Sequence, residues 1–247
     1  MKHKYKHAVL FAAGLLSANL AQAALSSNGN GLVYDSVANV TWSSDANLFG
    51  TMLAGNANLV NQIIAASPTV TDTSNALDTP ANSGFHSVSA ADFGPGYTSW
   101  FGAMAFTKYL NSTHYLGQNT WMLPTTYDQT CGGYCTNSML GELFYTGLGG
   151  VAGQSVTTTH NASYSLFTNI QNSVYWSGTE YAANPNNAWF FATNSGGQVA
   201  PFKYSYDYSW AVLPGNAGAS VPEPAGLALF GIGLLGLMAG RRRPSFW

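Results

Sequence analysis

Cys131-Gly132-Gly133-Tyr134-Cys135 holds both cysteines of the chain. In an exported protein such a pair reads as a disulfide, and two intervening glycines let so short a loop close. A redox dithiol would need C-x-x-C, and a zinc site would need further ligands at fixed spacing. His86, His114 and His160 stand outside any metal-ligand spacing, and His86 and His160 fall in polar stretches that read as exposed. No G-x-S-x-G elbow, phosphate-binding loop or dinucleotide fingerprint occurs. Many carboxylate pairs could be drawn, but no spacing singles one out, so the body reads as non-catalytic. Glu180 is the acid that stands apart, because it follows a buried-looking strand where a carboxylate must be hydrogen-bonded or metal-bound. It reads as an acceptor for loop amides or, with nearby carbonyls and Asn side chains, as a Ca²⁺ ligand; no other metal or cofactor is expected. Tyr204, Tyr206 and Tyr208 alternate with Ser205, Asp207 and Ser209. In a strand this puts three rings on one face. Together with Asp207 they would suit neutral sugars, whose apolar patches stack on rings while hydroxyls meet carboxylates; the same pattern also fits a half-buried β face.

The elements that must hold these residues are short. Leu32-Val33-Tyr34-Asp35 and Val40-Thr41-Trp42 flank a tight connection and predict a hairpin. Leu59, Ile63 and Ala66 fall at helical spacing in 58–66. Residues 67–98, rich in Ser, Thr, Asn, Asp, Pro and Gly, read as a long loop insertion. A main buried helix is predicted over 100–110 with Ala103, Phe106 and Leu110 inward, then a short strand Trp121-Met122-Leu123. Asn137 is placed to cap a second helix over 138–145, which Gly147 would end. The last third predicts strands at 173–177, 188–193, 198–204 and 209–213, with a Ser195-Gly196-Gly197 turn. Trp121, Trp176, Trp189 and Trp210 lie in apolar segments and read as core. Helices early and short antiparallel strands late make the class α+β, in one domain over 24–217.

Charge is distributed unevenly. Only 7% of the 247 residues are charged, against roughly 25% in ordinary soluble proteins. Lys2, Lys4 and Lys6 open the chain, and Arg241, Arg242 and Arg243 sit near its end. The body keeps Lys108 and Lys203 against nine acids, a nominal −7 with no arginine. Such a body has no basic stripe for phosphates, which excludes nucleic-acid binding.

The two ends read as addresses. A basic start, an apolar stretch over 8–20 and Ala21-Gln22-Ala23 predict a signal peptide over 1–23, cut by signal peptidase before Ala24. At the other end stand Val221-Pro222-Glu223-Pro224, an apolar run over 225–240 and the three arginines. That run is a short transmembrane helix of about 24 Å, with arginines that stay cytoplasmic and leave the body outside the inner membrane. The tail, 218–247, resembles the PEP-CTERM sorting signal of Gram-negative bacteria, with all three parts in order. The resemblance implies an exosortase, a membrane Cys transpeptidase-like enzyme, as a partner that processes the tail near Pro-Glu-Pro. The protein would be anchored transiently in the inner membrane and then reach the cell surface, outer membrane or exopolysaccharide matrix.

The body also resembles a family. The Leu32 to Trp42 blocks, Trp121-Met122-Leu123-Pro124-Thr125, Tyr175-Trp176-Ser177-Gly178-Thr179-Glu180, Ala188-Trp189-Phe190-Phe191 and Trp210-Ala211-Val212-Leu213-Pro214-Gly215 are similar to the Lcl C-terminal-like domain. The resemblance implies a C-type-lectin-like fold, related to formylglycine-generating enzymes, and a founding adhesin that binds sulfated polysaccharides. The family usually carries Arg where this chain has Met122, which argues against polyanionic sugars here. The function expected is that of an exported surface or matrix protein that binds carbohydrate or adheres without catalysis. An envelope enzyme on the same fold and a permanently anchored structural protein are the alternatives.

Overall fold

The structure is a computed structural model, and it describes residues 25–218. The signal peptide with Ala21, Ala23 and Ala24, the sorting motif from Val221 and the 225–240 helix lie outside the described residues. Among the described residues no helix is long and apolar enough to cross a membrane.

In chain order the elements are β1 (Leu25–Gly29), β2 (Leu32–Asp35), β3 (Val40–Ser43), α1 (Leu48–Gly55), α2 (Leu59–Ala66), β4 (Thr69–Thr71), β5 (Phe85–Ser87), α3 (Trp100–Ser112), α4 (Met139–Glu142), β6 (Val174–Glu180), β7 (Ala188–Ala192), β8 (Gln198–Val199) and β9 (Val212–Pro214). The predicted hairpin is β2–β3, paired Leu32 to Ser43 and Asp35 to Val40. It sits inside an antiparallel sheet ordered β1-β2-β3-β9, so the first and last strands of the domain share one sheet. A second sheet runs β6-β7-β8, and β4 pairs with β5 in a separate ribbon. The class is α+β, built of few helices and short antiparallel strands.

The helices follow from their caps and apolar faces. Ser99 accepts from the Gly102 amide to start α3, which buries Trp100, Phe101, Ala103, Phe106 and Leu110. Gly102 is required there, because a Cβ would collide with the Asp92 carbonyl. α2 buries Leu59 and Ile63 as its spacing predicts. α1 was not foreseen; Asn47 caps it through the Gly50 amide, and Leu48 and Phe49 are buried. Two apolar clusters result. One gathers α1, α2 and α3 with Trp121 and Trp176, and the other gathers β2, β3 and α4 with Trp42, Tyr175 and Trp210. Trp121, Trp176, Trp189 and Trp210 are all buried, as expected.

Several predicted elements differ. Residues 67–98 contain the β4–β5 ribbon and a 3-10 turn at Ala90–Asp92, and they bury Val70, Leu77, Asp78, His86 and Asp92. Ser138, one residue after the predicted Asn137, caps α4 through the Gly141 amide, and a π turn at Leu143–Gly147 follows. The Trp121 strand reduces to a bridge between Met122 and Val212. The predicted 198–204 strand stops at Val199; beyond it the chain keeps only a bridge between Phe202 and Asn187 and single backbone bonds before turning at 203–205.

The chain ends of the domain are tied together. Asn28 Nδ2 donates to Asn216 Oδ1 at 2.6 Å and to the Ala217 carbonyl at 2.7 Å. The Ala217 amide donates to Thr41 Oγ1, which itself donates to the Gly215 carbonyl.

Candidate functional site

The aromatic candidates are redistributed by the fold. Residues 204–208 form turns and bridges, not a strand, so Tyr204, Tyr206 and Tyr208 do not share the face that alternation predicts. Thr98 and Asp207 pair backbone to backbone in an antiparallel bridge. Paired residues point to one side, and both side chains are buried, so Asp207 points inward, away from any ligand face. Tyr208 is half-buried against Tyr175. Tyr204 and Tyr206 remain outside, 42% and 49% exposed.

Those two rings wall a cleft of about 370 Å³ whose other side is His86, Ser89, Ala91 and Asp92. The cleft is held open by hydroxyl contacts across it. Tyr204 donates to the Leu77 carbonyl at 3.1 Å, and Tyr206 donates to the Ala91 carbonyl. Tyr97 braces Tyr206 edge-on, with centroids 5.6 Å apart.

His86, read as exposed, is instead buried under this cleft and stacked on Phe101 at 3.9 Å. Its Nδ1 faces the Leu77 carbonyl at 3.2 Å and its Nε2 faces Asp92 Oδ2 at 3.2 Å. Both partners are acceptors, so each ring nitrogen faces a group to which it can donate. Burial alone would lower its pKa, but the hydrogen bond and charge of Asp92 and the Leu77 carbonyl raise it. Burial likewise works against ionised Asp92, but His86, the Ser89 amide and the Ser99 hydroxyl hold it below the usual carboxylate range. Ser89, Asp92 and His86 therefore share residue types with a hydrolytic triad without its geometry. Neither imidazole nitrogen is free to take a serine proton. His114 and His160 are exposed, as expected for His160.

Glu180 ends β6 and accepts from the Thr73 amide at 3.0 Å, which matches its reading as an acceptor for loop amides. It also accepts from Lys203 Nζ at 2.9 Å. An ammonium thus stands where a Ca²⁺ ligand set would place its cation, and among the described residues no group of three His, Cys, Asp or Glu is arranged to hold a metal. Cys131 and Cys135 are joined as a disulfide, and the adjoining Gly133 bridges Gln198 of β8.

Sequence reasoning missed what the acids do. Asp35, Asp78, Asp92 and Asp207 are buried, and the Asp72 side chain is wholly enclosed. Asp35 accepts from the Val37 and Ala38 amides and from the Trp42 indole. Glu142 abuts it from α4, where the neighbouring Asp35 favours the protonated acid and Thr146 favours the carboxylate. Burial and then the Asp35 charge push Glu142 up to about 8. Burial alone pushes Asp207 up to about 7. The nominal −7 is therefore folded largely inside, and Lys108 is the exposed cation among the described residues. Lys108 lines a second cleft with Trp121 and Met122, at the position where the resemblance would place an arginine.

None of the curated proteins and none of the solved structures matches this chain. Residues 220–243 match the PEP-CTERM protein-sorting motif, so the protein is exported and anchored at its C-terminus before an exosortase-type enzyme sorts it. Residues 31–213 match the Lcl C-terminal domain and take in nearly all of the described fold, from the hairpin to β9. The chain belongs to the Lcl C-terminal domain family, carried to the envelope by a PEP-CTERM tail.

Proposed function

We propose that this protein acts at the cell surface or in the exopolysaccharide matrix as a non-catalytic binder of neutral polysaccharide. The observation that carries the reading is the cleft between Tyr204 and Tyr206 and the His86 to Asp92 segment, set in a surface nearly stripped of charge. Exposed rings offer stacking faces to sugar CH patches, and the Ser89 hydroxyl supplies a polar contact at the rim. With its acids folded inward and Lys108 as the exposed cation, the body has little with which to attract or repel a polyanion. Both His86 nitrogens are committed to acceptors, which supports binding over hydrolysis.

The test is retention of the mature protein on neutral and sulfated polysaccharide resins at low and high salt. Retention on the neutral resin, insensitive to salt and lost in Tyr204→Ala and Tyr206→Ala, is expected. Absence of retention on every saccharide sinks the reading, and salt-sensitive binding to sulfated resin alone replaces it with an electrostatic one.

A further inference from the structure

Lys203 is fully buried, and its Nζ lies 2.5 Å from Asp72 Oδ2 and 2.9 Å from Glu180 Oε2. The ammonium sits over the Trp100 ring at 4.6 Å and near the Phe101 ring at 5.6 Å. The amine and the Asp72 carboxyl are thus enclosed away from water, with the amine over aromatic rings and Glu180 at the edge. The two acids differ in their surroundings. The Asp72 side chain has no solvent exposure, whereas that of Glu180 is 24% exposed.

Asp72 is also set up unlike an ordinary ion-pair partner. Its Oδ1 and the Oδ1 of Asp78 are both buried without a donor. Asp78 Oδ2 already accepts from the Asn75 and Gly84 amides, whereas a proton on Asp72 would give the pair a donor. Burial raises Asp72. Burial works against ionised Asp78 too, but the Asn75 and Gly84 amides hold it low. The form of Asp72 that an amine can attack is the carboxylic acid, which burial favours, and its Oδ2 faces Lys203. Asn75 Nδ2 donates to that same Oδ2 at 2.8 Å, where negative charge would collect if the carbon were attacked.

We propose that Lys203 and Asp72 condense into a covalent side-chain amide, with Glu180 as the catalytic base. Glu180 takes a proton from the ammonium, leaving a free amine in an apolar pocket, where amines are strong nucleophiles. The nitrogen lone pair forms a bond to Asp72 Cγ, and the C=O electrons move onto Oδ2, which Asn75 holds. Glu180 passes its proton to Oδ1 and takes the next one from the nitrogen. The C–Oδ1 bond breaks, and Oδ1 leaves as water. Ammonium, carboxylic acid and carboxylate become amide, water and protonated Glu180. No oxidant, reductant or cofactor is consumed. The partly exposed Glu180 gives its proton a way out, and the enclosed Asp72 keeps water from reversing the bond. The product would tie the loop after β4 to the segment before Tyr204, across 131 positions of sequence. The inference rests on this geometry alone and holds whether or not the cleft binds sugar.

Peptide mapping of the full chain, denatured and reduced before digestion, tests it without interference from processing at either end. The expected result is one branched peptide containing Asp72 and Lys203, lighter by one water than the two separate peptides. Glu180→Gln, which keeps an acceptor for Thr73, should fold to the same far-ultraviolet spectrum yet give the separate peptides. Lys203→Arg should also give them. In the wild-type chain, separate unmodified peptides, or Lys203 labelled by an amine reagent after denaturation, overturn the proposal. Full cross-linking in folded Glu180→Gln overturns the role of Glu180.

Discussion

Two groups of buried acids lie in one small body and are treated in opposite ways. Under the cleft, Asp72 and Glu180 meet Lys203, and Asp92 meets His86, whose pKa it raises. Against the β2–β3 hairpin, Asp35 and Glu142 meet each other with no cation, and Asp207, bridged to Thr98, likewise has none. The first arrangement sets a cation against its acids, and the second has none and keeps a proton instead. Positive partners therefore stand where the long polar segment 67–98 must be held to the core. Protons suffice where β2, β3 and α4 are already packed through Trp42, Val33 and Leu140.

The sharpest way to break this contrast is to remove the cation. Lys203→Met leaves Asp72 and Glu180 without their partner, whether ion pair or amide, and should cost at least about 3–5 kcal/mol, the usual penalty for breaking a buried pair. Denaturant unfolding of the purified variant measures it, and a loss under about 1 kcal/mol would put the node outside the forces that hold the 67–98 segment. The opposite change on the hairpin side should stabilise. Glu142 holds its proton up to about 8 in the fold, whereas the unfolded chain releases it near 4.5. Stability must then fall as pH rises between those values and level off above them. Glu142→Gln should remove that slope and gain on the order of 2 kcal/mol at pH 8. Thermal melts of both proteins from pH 5 to pH 9 decide it. Asp207→Asn should act in the same direction but less, on the order of 1 kcal/mol, because the replacement is still a buried polar group without a partner.

The smallest effect concerns His86. Its raised pKa contributes stability that is complete below the free imidazole value and fades as pH climbs through the folded value. Lowered Asp92 contributes above the free carboxylate value and fades in acid. Proton NMR of the His86 ring should show a midpoint above that of free imidazole, moved down by Asp92→Asn. A midpoint at or below free imidazole would show that His86 belongs with the uncompensated group.

Much of the scaffold was legible because its signals are local. The β2–β3 hairpin, α2 and the Trp100 helix announce themselves through alternation, spacing and the Ser99 cap. The misreadings share a cause. The 67–98 segment has loop composition, but its Asp72, Asn75 and Asp78 side chains bond one another and nearby amides, so polar residues there replace solvent instead of meeting it. His86 reads as exposed until Asp92 is brought under it by the 3-10 turn. Tyr204 to Tyr208 alternate like a strand, yet the segment turns at 203–205 and keeps only isolated bridges, Asp207 to Thr98 and Tyr208 to Tyr175. The sorting tail and the family blocks could be read directly because they are linear patterns. The Lys203–Asp72 pair could not, since its partners lie 131 residues apart.

The knot of Asn28, Thr41, Asn216 and Ala217 has a mechanical consequence. If the tail is the anchor and a polysaccharide sits on Tyr204, tension between them runs along 204–217. That stretch is secured at one end by Lys203 and at the other by the knot. Both ends of the domain leave through that knot, so the helical core hangs beside the line of force. A matrix could pull on this protein hard enough to strain its last strand while leaving the rest of the fold at rest.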